Sequence, residues 1–208
     1  NKGLCGGFNA NIIKLVKKYL EDASHSTDIE GTDLLVFGRK GIQAFRRDVN
    51  TTIVESHENF QDSLSIDTIR TFLDHLVGIF NSKEYGQIRL FYNEFKSAIS
   101  SDVLNKQLLP IDWSANDSVD LQSNLILEPS TEGVLDALIM KFLEGTLYNA
   151  FLESSAAEQG ARMAAMDAAT DNAGEMINDL TSIYNRERQA QITTELSEIV
   201  AGAEALVH

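Results

Sequence analysis

The last third of the chain, from Thr131 to about Leu206, contains no proline, and the two prolines of the sequence, Pro110 and Pro129, precede it. Apolar residues recur in it at alternating spacings of three and four, which predicts one long helix packed along another helix. The repeat comprises Leu135, Leu138, Phe142, Leu152, Ala156, Met163, Met166, Ala173, Ile177, Leu180 and Tyr184. Such a helix would be on the order of 110 Å long, whereas a compact globule of this chain would be about 40 Å across. We therefore expect the helix to leave its domain.

The regular spacing is interrupted near the end of this predicted helix. Eight residues, rather than seven, separate Tyr184 from Ile192, and one extra residue rotates the apolar face by about 100°. The interruption contains a polar collar, defined as Asn185, Arg186, Glu187, Arg188, Gln189 and Gln191. An apolar end follows, here called the tip: Ile192, Leu196, Ile199, Ala203 and Leu206. Two interpretations stay open, a solvated patch at a frayed helix end and a surface that another protein encloses.

The first 130 residues predict a small α/β domain with a mainly parallel, Rossmann-like sheet. The predicted domains are therefore a globular part, 1–130, and a helical part, 131–208. A glycine-rich turn at the start precedes a helix capped by Asn9 or Asn11, and Ser130 or Thr131 is the predicted cap of the long helix. The other predicted elements are a strand buried on both faces at 33–38, a short helix at 41–47, a strand at 52–54, a helix from residue 67, a strand at 87–95, a return beside it at 97–111, a polar loop at 113–120 and an edge strand at 123–127.

Composition narrows the class of protein. The net charge is −14, from 31 acidic and 17 basic residues, which argues against nucleic acid as the main partner. The single cysteine, Cys5, excludes an internal disulfide framework and fits a reducing compartment. No apolar run reaches the roughly 18 residues that span a membrane. The first residue is Asn1 rather than methionine, so we expect a fragment of a longer chain.

No catalytic, cofactor or metal site is predicted. The opening Gly-Leu-Cys-Gly-Gly lacks the lysine and hydroxyl ending of a phosphate-binding loop, so a turn that needs unhindered backbone is favoured. Cys5 is predicted to be a small buried thiol rather than a nucleophile. The four histidines, His25, His57, His75 and His208, have no metal-ligand spacing to one another, to cysteine or to carboxylates.

Three segments carry a resemblance to a known family. They are 2–9 (KGLCGGFN), 161–173 (ARMAAMDAATDNA) and 183–196 (IYNRERQAQITTEL). The sequence resembles the gamma subunit, or central stalk, of the F-type ATP synthase from end to end. The resemblance implies a noncatalytic rotor shaft that couples proton-driven rotation of a membrane ring to conformational change at catalytic sites on beta subunits.

The resemblance also implies partners and contact residues. Arg188, Gln189, Thr193 and Glu195 match the region where the family's shaft contacts a beta subunit, and Arg162 matches another charged contact. Glu128 matches a position on the side of the c-ring and the epsilon subunit. The expected partners are the alpha and beta subunits of the hexamer, epsilon and the c-ring. The expected location is peripheral, on the cytoplasmic face of the bacterial inner membrane or the equivalent matrix or stromal face.

Two departures from the family pattern are expected. The family's N-terminal helix, the partner of the apolar seam, is expected to be missing from this chain. The chloroplast type has a regulatory cysteine pair, which Cys5 alone cannot form. Two alternative functions remain: a nucleotide-binding α/β domain with a helical arm, and a coiled-coil adaptor whose seam pairs with itself.

Overall fold

The computed structural model describes residues 3–26, 29, 31–47, 51–60, 64–98, 100–111, 128 and 130–205, without the side chains of 204 and 205. The elements are α1 (Phe8–Ser24), β1 (Asp33–Phe37), α2 (Arg39–Phe45), β2 (Thr52–His57), α3 (Ile66–Asn81), β3 (Ile88–Phe95), β4 (Ser101–Leu109) and α4 (Thr131–Ala205). The chain separates into two compact units, Asn1–Ala164 and Ala165–His208. The domain boundary that the sequence analysis places between residues 130 and 131 coincides with the start of α4 and stays a prediction.

Strands β1 and β2 form a parallel pair, with α2 as the connection between them. Parallel strands need such a crossover because they run in the same direction. The predicted class, an α/β part with a small parallel sheet followed by a very long C-terminal helix, is confirmed. Strand β1 was predicted to be buried on both faces but is only half-buried, because a pair of strands offers each face fewer neighbours. Strand β2 is longer than the predicted 52–54 and reaches His57.

Strands β3 and β4 form an antiparallel hairpin. Ile88 lies opposite Leu109, and Phe95 lies opposite Ser101. The predicted return of the chain beside the third strand is therefore confirmed. The polar loop predicted at 113–120 and the edge strand predicted at 123–127 lie outside the described residues.

The glycine-rich turn leads directly into α1. The Phe8 amide donates to the Cys5 carbonyl at 3.2 Å, and Gly6 has φ +53°, in the region that glycine adopts readily. The predicted turn is confirmed, and Cys5 is the predicted buried thiol, 2% exposed. The cap prediction for this helix was wrong. The N-cap is Gly7, with no side-chain cap bond, because helical geometry already begins at Phe8 and so includes both asparagines.

The caps of α3 and α4 are serines. The Ser65 hydroxyl accepts from the Thr68 amide at 3.1 Å, and the Ser130 hydroxyl accepts from the Gly133 amide at 3.1 Å. Each bond satisfies a backbone donor that the first helical turn leaves unpaired, which stabilises a helix by about 1 kcal/mol. Of the two caps considered for the long helix, Ser130 is the one observed.

The main core lies between α3, β4 and the first part of α4. Its buried members are Ile69, Leu73, Leu76, Leu108, Leu109, Leu143 and Leu147. Aromatic rings extend it, since the Phe37 ring of β1 lies 4.9 Å from the Phe151 ring of α4. The first part of α4 is therefore a core helix of the globular unit. The sequence analysis did not predict this role, although the four-residue spacing of Leu143 and Leu147 is its signal.

Helix α4 has a second apolar face, which is exposed. Leu135, Leu138 and Phe142 belong to the predicted seam, and 46–60% of each is accessible. These residues differ in helical phase from Leu143 and Leu147, which are 1% exposed. Within 165–208, every side chain described from Met166 to Ala203 is exposed. These seam residues are thus available to a further helix.

Candidate subunit interface

The two arginines of the polar collar differ in the ion pairs that they form. Among the described residues, the Arg188 side chain makes no ion pair or hydrogen bond, whereas the Arg186 guanidinium lies 3.6 Å from the Glu187 carboxylate. Both arginines are exposed. A guanidinium has a planar fork of donors that matches a carboxylate. Arg188 is therefore available to bind an acidic group on another chain.

The other predicted contact residues near the collar bond locally. The Thr193 hydroxyl donates to the Gln189 carbonyl at 2.9 Å, and the Gln191 amide donates to the Glu195 carboxylate at 3.3 Å. The Glu195 carboxylate keeps acceptor capacity, because each of its oxygens has more than one lone pair. These residues lie with Arg188 on one exposed stretch of α4.

The described residues of the tip are apolar and exposed. Ile192, Leu196 and Ile199 are 47%, 57% and 68% exposed; Ala203 is exposed too. Leu206 lies outside the described residues. Val200, 58% exposed, enlarges this apolar surface, and the sequence analysis missed it because it is off the heptad positions. An exposed contiguous apolar patch marks an interaction surface.

The hydroxyl side chains that lie between the apolar residues of the tip donate hydrogen bonds to carbonyls of α4 itself. Thr194 donates to the Ala190 carbonyl at 3.0 Å, and Ser197 donates to the Thr193 carbonyl at 2.9 Å. Such bonds to the preceding turn occupy the one donor that a hydroxyl has. The tip therefore offers few directional bonds to a partner, and contact with it is mainly apolar.

Arg162 stands in a different environment from Arg188. Its Nη2 lies 2.6 Å from Glu158 Oε1, and its Nη1 donates to Gln159 Oε1 at 2.7 Å. The Glu158 side chain is 4% exposed and the Arg162 side chain 20%. Removing one partner of this pair is expected to be destabilising, because the other loses a charge-assisted hydrogen bond. Arg162 is thus held by its own chain.

Two segments distant in sequence cover α4 near Glu158. Cys5 and Phe8 pack with Ala157 in a small buried cluster. On another side, a Cβ at Gly160 would lie 3.1 Å from the Ala98 carbonyl oxygen. The turn before α1 and the turn between β3 and β4 therefore both reach α4 at this level. This close approach gives a reason for a glycine at position 160.

Glu128 is exposed and follows a stretch outside the described residues. No described contact tests its expected place on the c-ring and epsilon side, so that assignment stays a prediction.

Ionisable groups elsewhere are paired for structural reasons. The Glu55 carboxylate binds His57 Nε2 at 2.7 Å and His75 Nε2 at 3.1 Å, linking β2 to α3. A hydrogen bond from Lys141 lowers the pKa of Glu144, and Arg70 contributes to that shift. Within the described parts of the chain, no three His, Cys, Asp or Glu side chains are grouped as metal ligands. The same parts include no helix long and apolar enough to cross a membrane.

Comparison with known proteins identifies the family. The chain matches the ATP synthase family model over residues 1–206. It is 42% identical over 207 residues to the ATP synthase gamma chain of Chlorobaculum tepidum, covering 99% of this chain and 70% of that protein. It is 40% identical over 206 residues to the ATP synthase gamma chain of Geobacter sp. (strain M21), with the same two coverages. The chain belongs to the ATP synthase gamma-chain family.

Solved structures agree with this membership. A chain in the structure of the central stalk and c-ring of the Tetrahymena thermophila mitochondrial ATP synthase has a TM-score of 0.62 at 29% identity, covering 82% of this chain and 72% of that one. A chain of the Euglena gracilis mitochondrial ATP synthase has a TM-score of 0.66 at 20% identity, covering 99% and 70%, and shows the shared fold. The resemblance noted in the sequence is confirmed, and the chain is a central-stalk gamma chain of ATP synthase.

Proposed function

We propose that this gamma chain is the noncatalytic shaft of the rotor, and that α4 turns inside a ring of alpha and beta subunits whose beta subunits carry the catalytic sites. The observation that carries the proposal is the exposed apolar tip beside Arg188, which is unpaired among the described residues, on a helix of 75 residues. An apolar surface can turn in an apolar sleeve, since no directional bonds must break. The arginine fork supplies the specific contact.

The seam on α4 has a separate role in this proposal. Leu135, Leu138 and Phe142 in the first unit, and Ile177 and Leu180 in the second, are at least 46% exposed. Their three- and four-residue spacing is that of a helix that packs on another helix. We assign the seam to a second helix of the same rotor, and the tip to the surrounding subunits.

The base of the rotor completes the proposal. Glu128 is assigned to the side that faces the epsilon subunit and the membrane ring of c subunits, and the protein to the membrane periphery on the cytoplasmic or equivalent organellar face. The support is family membership together with the Tetrahymena thermophila structure, which comprises a central stalk and a c-ring.

Co-purification tests the proposal. A gamma chain of this sequence, produced with alpha and beta subunits, is expected to be recovered in a stoichiometric complex that hydrolyses ATP. The chain on its own is expected to bind no nucleotide by calorimetry. Nucleotide binding by the isolated chain would favour the nucleotide-binding alternative, and failure to join alpha and beta would contradict the rotor assignment.

A further inference from the structure

We propose that Glu158 is a positioning residue, which holds the Arg162 guanidinium in one orientation from which its outer edge binds a carboxylate of a surrounding subunit. This inference rests on the proposed function, together with the contact role that the family resemblance implies for Arg162. It adds Glu158, which acts through Arg162 rather than by touching the surrounding subunit, and it gives a reason why Arg162 differs from Arg188.

The geometry leaves part of the arginine fork unused. Nη2 engages Glu158 and Nη1 engages Gln159, at 2.6 and 2.7 Å. A guanidinium has five N–H donors, so three make no hydrogen bond to the residues that the structure describes. The Arg162 side chain is 20% exposed, whereas that of Glu158 is 4% exposed. The arginine is thus accessible to a partner, and the carboxylate that orients it is not.

Burial makes this orientation persistent. Ala157 on one side of Glu158 packs with Cys5 and Phe8, and Gly160 lies against Ala98. If Arg162 turned away, the buried Glu158 carboxylate would lose its 2.6 Å bond from Nη2, whereas an exposed ion pair formed elsewhere contributes little. Arg162 therefore keeps its bond to Glu158 while it binds a partner carboxylate.

A fixed orientation reduces the entropic cost of each contact. A long, free side chain such as Arg188 must be ordered when it binds, whereas Arg162 is ordered beforehand. In a rotating shaft the contact forms and breaks repeatedly, so preorganisation by Glu158 lowers the cost each time. Weakening the hold of Glu158 is expected to impair coupling through Arg162 only.

A double-mutant cycle in the assembled alpha–beta–gamma complex, carried in membranes with the c-ring, tests the inference. The variants are Glu158→Gln, Arg162→Met and the two combined, and the measurement is ATP synthesis driven by a proton gradient. Each single variant is expected to lose on the order of three- to thirtyfold in rate, and the double variant no more than Arg162→Met alone. Multiplied losses in the double variant would overturn the proposal.

Arg162→Lys separates positioning from stability. Lysine keeps an ion pair with Glu158, but its ammonium lacks the planar set of N–H donors by which a guanidinium can bind a second carboxylate at the same time. We expect gamma chain to be recovered in the complex at wild-type yield, with a synthesis rate close to that of Arg162→Met. A wild-type rate would show that the pair only stabilises the fold and would overturn the proposal. This variant also decides the question if Glu158→Gln reduces the yield.

Glu175→Gln is the matched control, because Glu175 is an exposed carboxylate on the same helix. It is expected to remain within about twofold of wild type, and a loss equal to that of Glu158→Gln would contradict a specific role for Glu158. Failure of the wild-type chain to assemble would instead refute the proposed function, so the two failures are distinguishable.

Discussion

The carbonyl oxygen of Ala98 lies 3.1 Å from the position that a Cβ of Gly160 would occupy. This approach brings the turn between β3 and β4 onto the backbone of α4. Glycine costs an exposed helix interior about 1 kcal/mol relative to alanine, so close packing is what offsets that cost here.

Gly160→Val is therefore expected to destabilise the chain by about 1–3 kcal/mol, because its side chain must displace backbone atoms of the turn. Gly174 is the matched control, since nothing lies within 4 Å of a Cβ placed there. Gly174→Ala should stabilise α4 by up to about 1 kcal/mol. Urea unfolding followed by circular dichroism measures both changes, and equal effects at the two glycines would refute the packing explanation.

Substitutions in the collar are expected to impair coupling without impairing folding. Arg188→Ala combined with Gln189→Ala removes exposed side chains, so the free energy of unfolding should change by less than about 0.5 kcal/mol. Assembly with alpha and beta subunits or coupled ATP turnover should fall, since the partner carboxylate loses the arginine fork. Arg186→Ala, which removes the neighbouring arginine, is the control. Wild-type coupled rates of hydrolysis and synthesis in the double variant would contradict the assignment of the collar.

Replacing leucine by alanine is expected to have different effects on stability in the core and in the tip. Leu147 is 1% exposed and Leu196 is 57% exposed. Leu147→Ala should cost about 2–5 kcal/mol of stability, because it leaves a cavity in the core. Leu196→Ala should leave stability nearly unchanged and weaken retention in the complex, because only the bound state buries this side chain. Measured stability losses of similar size would mean that the tip is covered within the chain itself.

The paired carboxylate of Glu144 predicts a pH dependence with a definite sign. The hydrogen bond from Lys141 and the charge of Arg70 lower its pKa below the ordinary 4.5. A depressed pKa in the folded state means that the contribution is present above the unfolded value and is lost as the pH falls through the folded value. Unfolding midpoints of wild type and Glu144→Gln should therefore differ at neutral pH and converge as the pH falls below the ordinary 4.5 and through the lowered pKa of the folded state. A difference that persists in acid would argue against the ion pair as its cause.

Local patterns in the sequence predicted most of the elements correctly. The proline-free stretch and its three- and four-residue spacing predicted α4, and Ser130 was one of the two caps considered. The start of α1 was predicted less well. Both asparagines there are competent caps, and the choice of Gly7 depends on where the preceding glycine turn ends.

The residues of the candidate interface, too, could be predicted from the sequence only in part. The apolar tip was recognised from the spacing of apolar residues on one helix, and its described residues are exposed. Arg188 was singled out by the family resemblance, and its contact with another subunit stays a prediction. The partners proposed for them were implied by the family resemblance rather than by periodicity. The hold of Glu158 on Arg162 was missed, although the four-residue spacing permits it, because exposed and buried pairs look identical in sequence.

The sequence by itself determined the long helix and the phase break before Ile192, because both follow from the spacing of apolar residues close together in the chain. It also determined the family, through the motifs at 2–9, 161–173 and 183–196. Only the tertiary structure decided which face of α4 is core, why Gly160 is a glycine and why Arg162 is held while Arg188 is not. The physical reason is that distant segments pack on this part of α4: Cys5 and Phe8 lie against Ala157, and Ala98 lies against Gly160. A helical period reports which side chains share a face, but it does not report which distant segment covers that face.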